Sequence, residues 1–163
     1  MPPAASGHPN AVLIARFYEA LGRHDADAMV ACYHPKVTFS DPVFTQLDAA
    51  GVAAMWRMLC ERGHDLAIQV SDIAADATSG HAQWVATYTY TATGRRVVNR
   101  IDAEFLFRDG LICRHRDRFD LHNWLRQALG VKGALLGWVP AVQRATRAQA
   151  AKALAAWRAK RAA

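Results

Sequence analysis

Apolar residues in the first third of the chain recur with the three-to-four-residue period of amphipathic helices. A first helix is predicted from Asn10, its N-cap, to Gly22, a left-handed stop. A second helix is predicted from Asp25 to His34-Pro35, because the residue before a proline avoids the helical region. Its predicted apolar stripe consists of Met29, Val30 and Tyr33.

A short extended segment is predicted next, from Val37 to Asp41. Pro42 follows it and indicates the end or the edge of a strand, because proline cannot donate a hydrogen bond to a neighbouring strand. A third helix is then predicted from Asp48 to Arg62, with Gly63 as its terminator. Its apolar face consists of Val52, Met55, Trp56 and Leu59.

From residue 66 onwards the apolar period changes from helical to alternating, which indicates strands. Four strands are predicted, at Leu66–Ile73, His81–Ala92, Val97–Phe107 and Leu111–Phe119. Turn signals at Thr93-Gly94 and Asp109-Gly110 connect the last three into hairpins. Helices that lead into a curved antiparallel meander predict an α+β domain whose helices cover one concave face of the sheet.

The last strand predicts which face of the sheet is internal. Arg114, Arg116 and Arg118 share one side, which must contact water or an interface. The opposite side is therefore predicted to point inward; it carries Leu111, Cys113, His115 and Asp117.

The chain becomes helical again after Asp120, and glycines then interrupt the apolar stretch ALLGWV ahead of a basic terminal helix. Three segments are predicted: a disordered lead over residues 1–9, one domain over 10–125 and a C-terminal helical extension over 126–163. Much of the net charge of +6 lies in that last helix. We interpret these cations as the solvated face of an amphipathic helix, because no nucleic-acid-binding motif accompanies them.

The remaining composition restricts the function classes. No signal peptide or membrane-spanning run is recognisable, which favours a cytoplasmic protein without a transmembrane segment. Cys32, Cys60 and Cys113 are odd in number and far apart, as expected for reduced, buried thiols. Histidines and cysteines do not cluster at ligand spacing, so neither a metal nor any other cofactor is predicted.

The phrases YHPKVTFSDP and FLFRDGLICRHRDRFD, in this order of elements, resemble the nuclear transport factor 2-like superfamily. The resemblance extends from Val12 to Trp124 and points to the small-molecule branch, with ketosteroid isomerases, limonene-1,2-epoxide hydrolases and SnoaL-like polyketide cyclases. It implies a cystatin-like cone, in which a curved antiparallel sheet wraps around the N-terminal helices. It also implies a homodimer that pairs through the outer face of the sheet.

The resemblance to ketosteroid isomerases places Asp41, in the phrase FSDPVF, on the position of the proton-shuttling base. The two hydrogen-bond donors of the isomerase oxyanion hole would fall on Phe17 and Ala103, which cannot donate. Tyr18 is adjacent, but one step along a helix is expected to turn it about 100° away.

The resemblance to limonene-type epoxide hydrolases places Asp117 on an acidic position of their catalytic set. The arginine and the second aspartate of that set would fall on Trp84 and Ala86. Arg100 and Asp102 form a similar Arg-x-Asp motif, but on a different strand and on the predicted outer face.

These observations predict a small-molecule-binding protein with an apolar pocket. Asp41, Asp117 and His115 are the candidate acid/base residues, and the candidate substrate-binding wall consists of Phe17, Trp56, Trp84, Tyr88 and Asn99. A desolvated carboxyl has a raised pKa, which suits a cofactor-free isomerase, cyclase or lyase for a hydrophobic polycyclic or terpenoid-like substrate.

Structural roles remain as alternatives. Asp41 before a proline could only start a turn, Asp117 could form a surface ion pair, and His115 could be a core histidine. The domain as a whole could be a non-catalytic ligand-binding module or a protein-interaction module.

Overall fold

The structure is a computed structural model that describes residues 7–162. The helices are α1 (Pro9–Gly22), α2 (Ala26–Val30), α3 (Ala49–Arg62), α4 (Leu121–Leu129), α5 (Val131–Leu136) and α6 (Pro140–Ala162). The strands are β1 (Tyr33–Ser40), β2 (Ala67–Ala75), β3 (Ser79–Tyr90), β4 (Arg95–Arg108) and β5 (Leu111–Arg118). The predicted mixture of helices with one sheet is confirmed.

The five strands form one curved, unclosed sheet in the order β1-β5-β4-β3-β2. From β2 to β5 successive strands pair antiparallel, as predicted for the meander, whereas β1 pairs parallel to β5. The first strand therefore lies beside the last strand at an edge of the sheet. This arrangement brings the segment that contains Asp41 next to the strand that contains His115 and Asp117.

The N-cap of helix α1 is His8, two residues before the predicted cap Asn10. The side chain of His8 accepts a hydrogen bond from the backbone N–H of Asn10 and caps the helix, and Pro9 occupies the first turn, where no N–H is needed. Asn10 instead donates its side-chain amide to the carbonyl of Asp76 at 3.0 Å. The left-handed residue after α1 is His24, at φ 57°, and not Gly22 as predicted. Residues 1–6 of the predicted lead lie outside the described residues.

The predicted end of the second helix was wrong. Helix α2, capped by Asp25 as expected, stops at Val30, and Tyr33 already belongs to β1. Pro35 is accommodated because β1 is an edge strand whose pairing with β5 is interrupted between Tyr33 and Thr38. The interruption allows a strand where the proline had indicated only a helix end.

A β-bulge in β5 changes which residues face inward. Leu106 pairs with Arg114 but Phe107 pairs with Ile112, so Cys113 is the extra residue. Ile112 is consequently buried and Cys113 is only partly buried, which corrects the predicted inward positions of Leu111 and Cys113. Beyond the bulge the alternation is as predicted, and His115 and Asp117 point inward.

The concave face of the sheet packs against α1 and α3 and forms the core of the molecule. The outer face of β4 and β5 exposes charged side chains, as expected: Arg100, Asp102, Glu104, Arg114, Arg116 and Arg118. Cys32 and Cys60 are buried free thiols. Among the described residues, no helix is long and apolar enough to cross a membrane.

Helix α6 lies against α3 and the segment after β1. Leu154 is buried in the core, and the indole N–H of Trp157 donates to a carboxylate oxygen of Glu61 at 2.9 Å. The same carboxylate also pairs with Arg161. Nearer the start of α6, Nε of Arg147 donates to the carbonyl of Pro42 at 2.8 Å. The terminal helix is therefore fixed to the segment that contains Asp41.

Candidate functional site

A histidine and an aspartate form a buried pair on the concave face of β5. Nε2 of His115 lies 2.9 Å from Oδ1 of Asp117, and the two side chains are 0% and 4% exposed. Alternation along the strand, two residues apart, places both on this face. The structure therefore brings together two of the three predicted acid/base residues.

Two further side chains extend this pair into a hydrogen-bonded chain. Nε1 of Trp56, on α3, donates to the hydroxyl oxygen of Tyr33 at 2.9 Å, and this hydroxyl lies 2.8 Å from Nδ1 of His115. An indole N–H can only donate, so the Tyr33 oxygen accepts from Trp56 and its own proton is available for His115. All of these atoms belong to buried residues.

The chain of donors fixes the tautomer of the imidazole. When Tyr33 donates to Nδ1, the neutral ring carries its proton on Nε2 and donates it to Asp117. Every donor in the chain then has an acceptor, which buried polar groups require. We call the ordered set Trp56, Tyr33, His115 and Asp117 the hydrogen-bond relay.

Asp41 lies where β1 ends, next to the relay. The parallel register pairs Phe39 with His115 and Ser40 with Arg116, so the next residue of the chain follows beside Asp117. Oδ1 of Asp41 accepts two backbone N–H bonds, from Val43 at 2.7 Å and from Phe44 at 2.6 Å. One carboxylate oxygen thus organises the turn that contains Pro42.

The pKa of Asp41 is raised from its ordinary value of 3.8 to about 7. Burial is the main cause, because the surrounding protein disfavours the charged form, although part of the side chain remains accessible. The charge of Asp117 raises this pKa further, whereas the N–H bonds from Phe44 and Val43, and the electrostatic interaction with His115, lower it. Near neutral pH this carboxyl exists in both protonation states, as an exchangeable acid/base group requires.

Two buried donors on the concave side have no hydrogen-bond partner among the described residues: the hydroxyl of Tyr18 and Nε1 of Trp84. Their rings contact each other, with centroids 5.6 Å apart. Burial, followed by the charge of Asp117, raises the pKa of Tyr18 well above its usual value, so the hydroxyl keeps its proton. An unpaired buried donor is rare and costs free energy, which makes both groups candidates for binding a ligand oxygen.

The position of Tyr18 corrects the sequence prediction. The side chain is 1% exposed and does not point away from the interior, because α1 is enclosed by the sheet and buries Phe17 and Tyr18 together. Phe17 packs its ring edge-on to Tyr18, at 5.2 Å between centroids. A helix surrounded in this way has a buried arc wider than the 100° that separates neighbouring residues.

Two more polar side chains belong to the same face. The hydroxyl of Tyr88 accepts a hydrogen bond from Nε1 of Trp124 at 2.6 Å, and burial raises its pKa to about 12. Asp41 is close enough to contribute to that rise. Asn99, which is 6% exposed, makes no side-chain hydrogen bond among the described residues.

Aromatic rings surround the imidazole of His115, and two of them, Phe17 and Trp56, belong to the predicted wall. The ring of Phe17 lies edge-on to His115 at 5.5 Å, Trp56 stacks on the imidazole at 6.4 Å, and Phe39 and Phe105 contact it from other sides. These contacts hold the imidazole in one orientation. Contact of Phe17, Trp56 and Trp84 with a substrate stays a prediction.

Comparison with known proteins identifies the family. The profile of the SnoaL-like domain matches residues 14–115, which contain most of α1, all of α2 and α3 and most of the sheet. The chain belongs to the SnoaL-like family. A search of the curated proteins gives no significant match.

Solved structures share the SnoaL-like fold. IdmH, a proposed polyketide cyclase from Streptomyces antibioticus, is 24% identical with a TM-score of 0.63, over 76% of this chain and 100% of that one. A proposed polyketide cyclase from Xanthomonas campestris is 27% identical with a TM-score of 0.63, over 76% and 99%. An LEH-like epoxide hydrolase from M. tuberculosis is 21% identical with a TM-score of 0.61, over 81% and 96%.

Sequence reasoning missed two residues of this SnoaL-like site, Tyr18 and Tyr33. A signal for Tyr33 was present, because His34 precedes a proline and is therefore biased towards extended backbone. A strand that begins at Tyr33 is compatible with that bias. No comparable local signal exists for Tyr18, whose burial depends on the sheet that wraps around α1.

Two surface grooves accompany the site. One, of about 440 Å³, lies between residues 43–47 and the face of α6 that includes Arg147 and Arg158. The other, of about 300 Å³, lies near Leu106 and Arg114 on β4 and β5. The predicted internal pocket remains a proposal. Among residues 7–162, no group of three or more His, Cys, Asp or Glu side chains is placed to bind a metal ion.

Proposed function

We propose that this SnoaL-like protein is a cofactor-free isomerase, cyclase or lyase that transfers a proton on a hydrophobic polycyclic or terpenoid-like small molecule bearing a carbonyl group. The observation that carries the proposal is the pKa of about 7 at Asp41, beside the buried pair of His115 and Asp117. Matching the pKa of a general base to the working pH makes proton transfer efficient in both directions.

In the first step, the Asp41 carboxylate removes a proton from the carbon next to the carbonyl. The C–H electron pair moves into the new C=C bond, and the carbonyl oxygen becomes an enolate oxygen. The unpaired donors on Tyr18 and Trp84 are the candidates for hydrogen bonds to that oxygen. Such donors act strongly in a site that excludes water, where removing one typically costs about 10²-fold or more in rate.

In the second step, the proton held by Asp41 returns to the substrate. Protonation at a different carbon completes an isomerisation. If the enolate carbon instead attacks a second carbonyl, the resulting alkoxide takes the proton and a ring is closed. The relay keeps Asp117 hydrogen-bonded to His115, so this carboxylate stays fixed beside the reacting group.

The similar structures support cyclase chemistry over epoxide hydrolysis. IdmH and the Xanthomonas protein are both described as proposed polyketide cyclases. The LEH-like enzyme shares the fold, but the resemblance assigns its arginine and one of its aspartates to Trp84 and Ala86 of this chain, which cannot replace them. Asp117 alone would remain of that charged set.

A non-catalytic ligand-binding module is the second candidate. It is favoured by the two backbone N–H bonds to Oδ1 of Asp41, which give this carboxylate a structural role in the turn. In that case the unpaired donors would still hold a ligand oxygen, but no proton would move.

A thermal-shift panel followed by turnover assays tests the proposal. Steroid-like ketones, polyketide-like ketones and terpene epoxides are screened; a ligand at about a hundred times its Kd adds about 2.7 kcal/mol of stability. Each ligand found is then incubated with the wild type and Asp41→Asn, which keeps Oδ1 as an acceptor. Turnover by the wild type alone supports the enzyme. Binding without turnover by either protein supports the ligand-binding module.

We further propose a cytoplasmic homodimer that pairs through the outer face of the sheet. Val98 and Leu106 interrupt the charges of this face and are about 40% exposed. Light scattering should give twice the chain mass for the wild type. Leu106→Glu should reduce the measured mass to that of a single chain. A monomeric wild type would contradict this arrangement.

A further inference from the structure

Helix α5 has the reverse of the usual amphipathic arrangement. Gly133 and Gly137, one turn apart, are packed too closely for a side chain: a Cβ on Gly133 would overlap the carbonyl of Leu125 in α4, and one on Gly137 would overlap the carbonyl of Gly133 and the ring of His122. Gly133 is buried. The helix therefore packs on the body of the protein through glycine and not through large apolar side chains.

The large apolar side chains of α5 and the residues after it point outward. Val131 and Leu135 lie about 200° from Gly133 on the helix and are 75% and 65% exposed. Leu136 and Trp138 are 49% and 65% exposed. Because soluble proteins normally bury such a face, these four residues, which we call the apolar ridge, require a partner.

The Trp138 ring is held in its exposed position. Its Nε1 donates to the carbonyl of Leu135 at 2.9 Å, one turn back in the chain. The polar edge of the indole is thus satisfied within the ridge, and its apolar faces remain available. Tryptophan is enriched at the boundary between lipid headgroups and acyl chains, where it offers the same combination.

The chain that carries the apolar ridge has charges of one sign after Asp120. All 14 acidic residues lie at or before Asp120, and the chain after it holds eight cations: Arg126, Lys132, Arg144, Arg147, Lys152, Arg158, Lys160 and Arg161. Lys132 is in α5 itself, Arg126 is in the last turn of α4 and Arg144 is in the first turns of α6. All three are exposed. Arg95 adds a fourth cation, because its guanidinium lies against Gly130.

We propose that the apolar ridge and its cations bind the surface of an anionic lipid bilayer. The ridge enters the boundary between headgroups and acyl chains, and the cations contact the headgroups with their long side chains. The six residues of α5 are far too few to span a bilayer, so the helix lies in the plane of the surface. The anionic cytoplasmic leaflet has the complementary charge.

A second copy of the chain is a poorer occupant of this surface. A two-fold symmetric pairing brings the same patch of both copies together, so cations would face cations. No acidic residue of the C-terminal segment is available to compensate them. An anionic bilayer offers both acyl chains for the apolar ridge and negative headgroups for the cations.

Vesicle flotation tests this proposal with the whole protein. Phosphatidylcholine vesicles with and without phosphatidylglycerol are compared. The wild type should float with the anionic vesicles, but it should remain unbound at the bottom of the gradient when the vesicles are neutral. Leu135→Ser/Trp138→Ser should weaken binding at least about tenfold, since each side chain loses the transfer of its apolar surface from water. Both side chains are mainly exposed, so the thermal stability of this variant should match that of the wild type.

Two variants control for the site and the charge. Val12→Ser/Leu59→Ser removes two exposed apolar side chains from α1 and α3 and should leave flotation unchanged. Lys132→Glu/Arg144→Glu should weaken binding to the anionic vesicles. The proposal is overturned if the wild type does not bind anionic vesicles, or if Leu135→Ser/Trp138→Ser binds them as well as the wild type does. It is also overturned if the wild type does not bind vesicles but self-associates with increasing concentration, and Leu135→Ser/Trp138→Ser abolishes this self-association.

Discussion

His115 donates through Nε2 to Oδ1 of Asp117 at 2.9 Å, with both side chains buried on one face of β5. Because Tyr33 occupies the other ring nitrogen, this imidazole has one orientation and one tautomer. A buried carboxylate that is oriented in this way can act on a neighbouring group without first rearranging its own hydrogen bonds.

Removing the Tyr33 hydroxyl should break the relay at its centre. Tyr33→Phe leaves Nε1 of Trp56 and Nδ1 of His115 without partners, so we expect the free energy of unfolding to fall by about 2–3 kcal/mol. The ¹⁵N shift of Nδ1 of His115 should also change, because this nitrogen loses its hydrogen bond from Tyr33, while the proton stays on Nε2 beside Asp117. Tyr90→Phe is the matched control, because that hydroxyl makes no hydrogen bond among the described residues. Identical stability and identical shifts in both variants would contradict the relay.

Removing the Tyr18 hydroxyl should have the opposite effect on stability. This buried hydroxyl has no partner, so Tyr18→Phe is expected to leave the free energy of unfolding unchanged or to raise it by about 1 kcal/mol. Affinity for a carbonyl ligand should fall in the same variant. Urea denaturation and ligand titration measure the two quantities. A loss of stability as large as that of Tyr33→Phe would mean that Tyr18 already has a structural partner.

The raised pKa of Asp41 predicts how stability depends on pH. The unfolded chain loses this proton near pH 3.8 and the folded chain near pH 7, so between these values the folded state binds more protons. Raising the pH from 4 to 7.5 should therefore destabilise the wild type, by up to about 4 kcal/mol from this group.

Asp41→Asn removes the ionisation but keeps an oxygen for the N–H groups of Val43 and Phe44. Its unfolding free energy should thus depend less on pH over the same range, as measured by urea denaturation at both ends. Parallel pH profiles for the two proteins would show that Asp41 titrates at an ordinary pKa.

Helix α6 should restrain the turn after β1. Arg147→Ala removes the hydrogen bond to the carbonyl of Pro42, so the amide of Phe44, bound to Asp41, should exchange about fivefold faster with deuterium. Arg158→Ala alters the same groove but removes no hydrogen bond among the described residues. Exchange at Phe44 should be unchanged in this control. Equal exchange at Phe44 in all three proteins would show that α6 does not restrain the turn after β1.

The elements with local signals could be predicted from the sequence. Helix α3 begins after Asp48, whose carboxylate accepts from the N–H of Gly51, and it ends at Gly63, as the capping residues indicated. The inward direction of His115 and Asp117 followed from the three arginines on the opposite face of the strand. In each case the decisive interaction lies within a few residues of the chain.

The elements that depend on distant pairing could not be predicted. Tyr33 lies in a strand because β5, about eighty residues later, provides its partner. The bulge at Cys113 is set by the register with β4, which no pattern within β5 reveals. The burial of Tyr18 depends on how far the sheet curves around α1. The relay and the unpaired donors both result from such contacts.

Deuterium exchange into a simple ketone is the most direct test of the central claim, that Asp41 moves protons at carbon next to a carbonyl. 2-Tetralone in D₂O serves as the probe, and NMR follows the loss of its α-proton signals with wild type, Asp41→Asn and no protein. The wild type should accelerate this exchange, the acceleration should rise with pH around 7, and Asp41→Asn should show no acceleration. No acceleration by the wild type, or equal acceleration by both proteins, would contradict the claim.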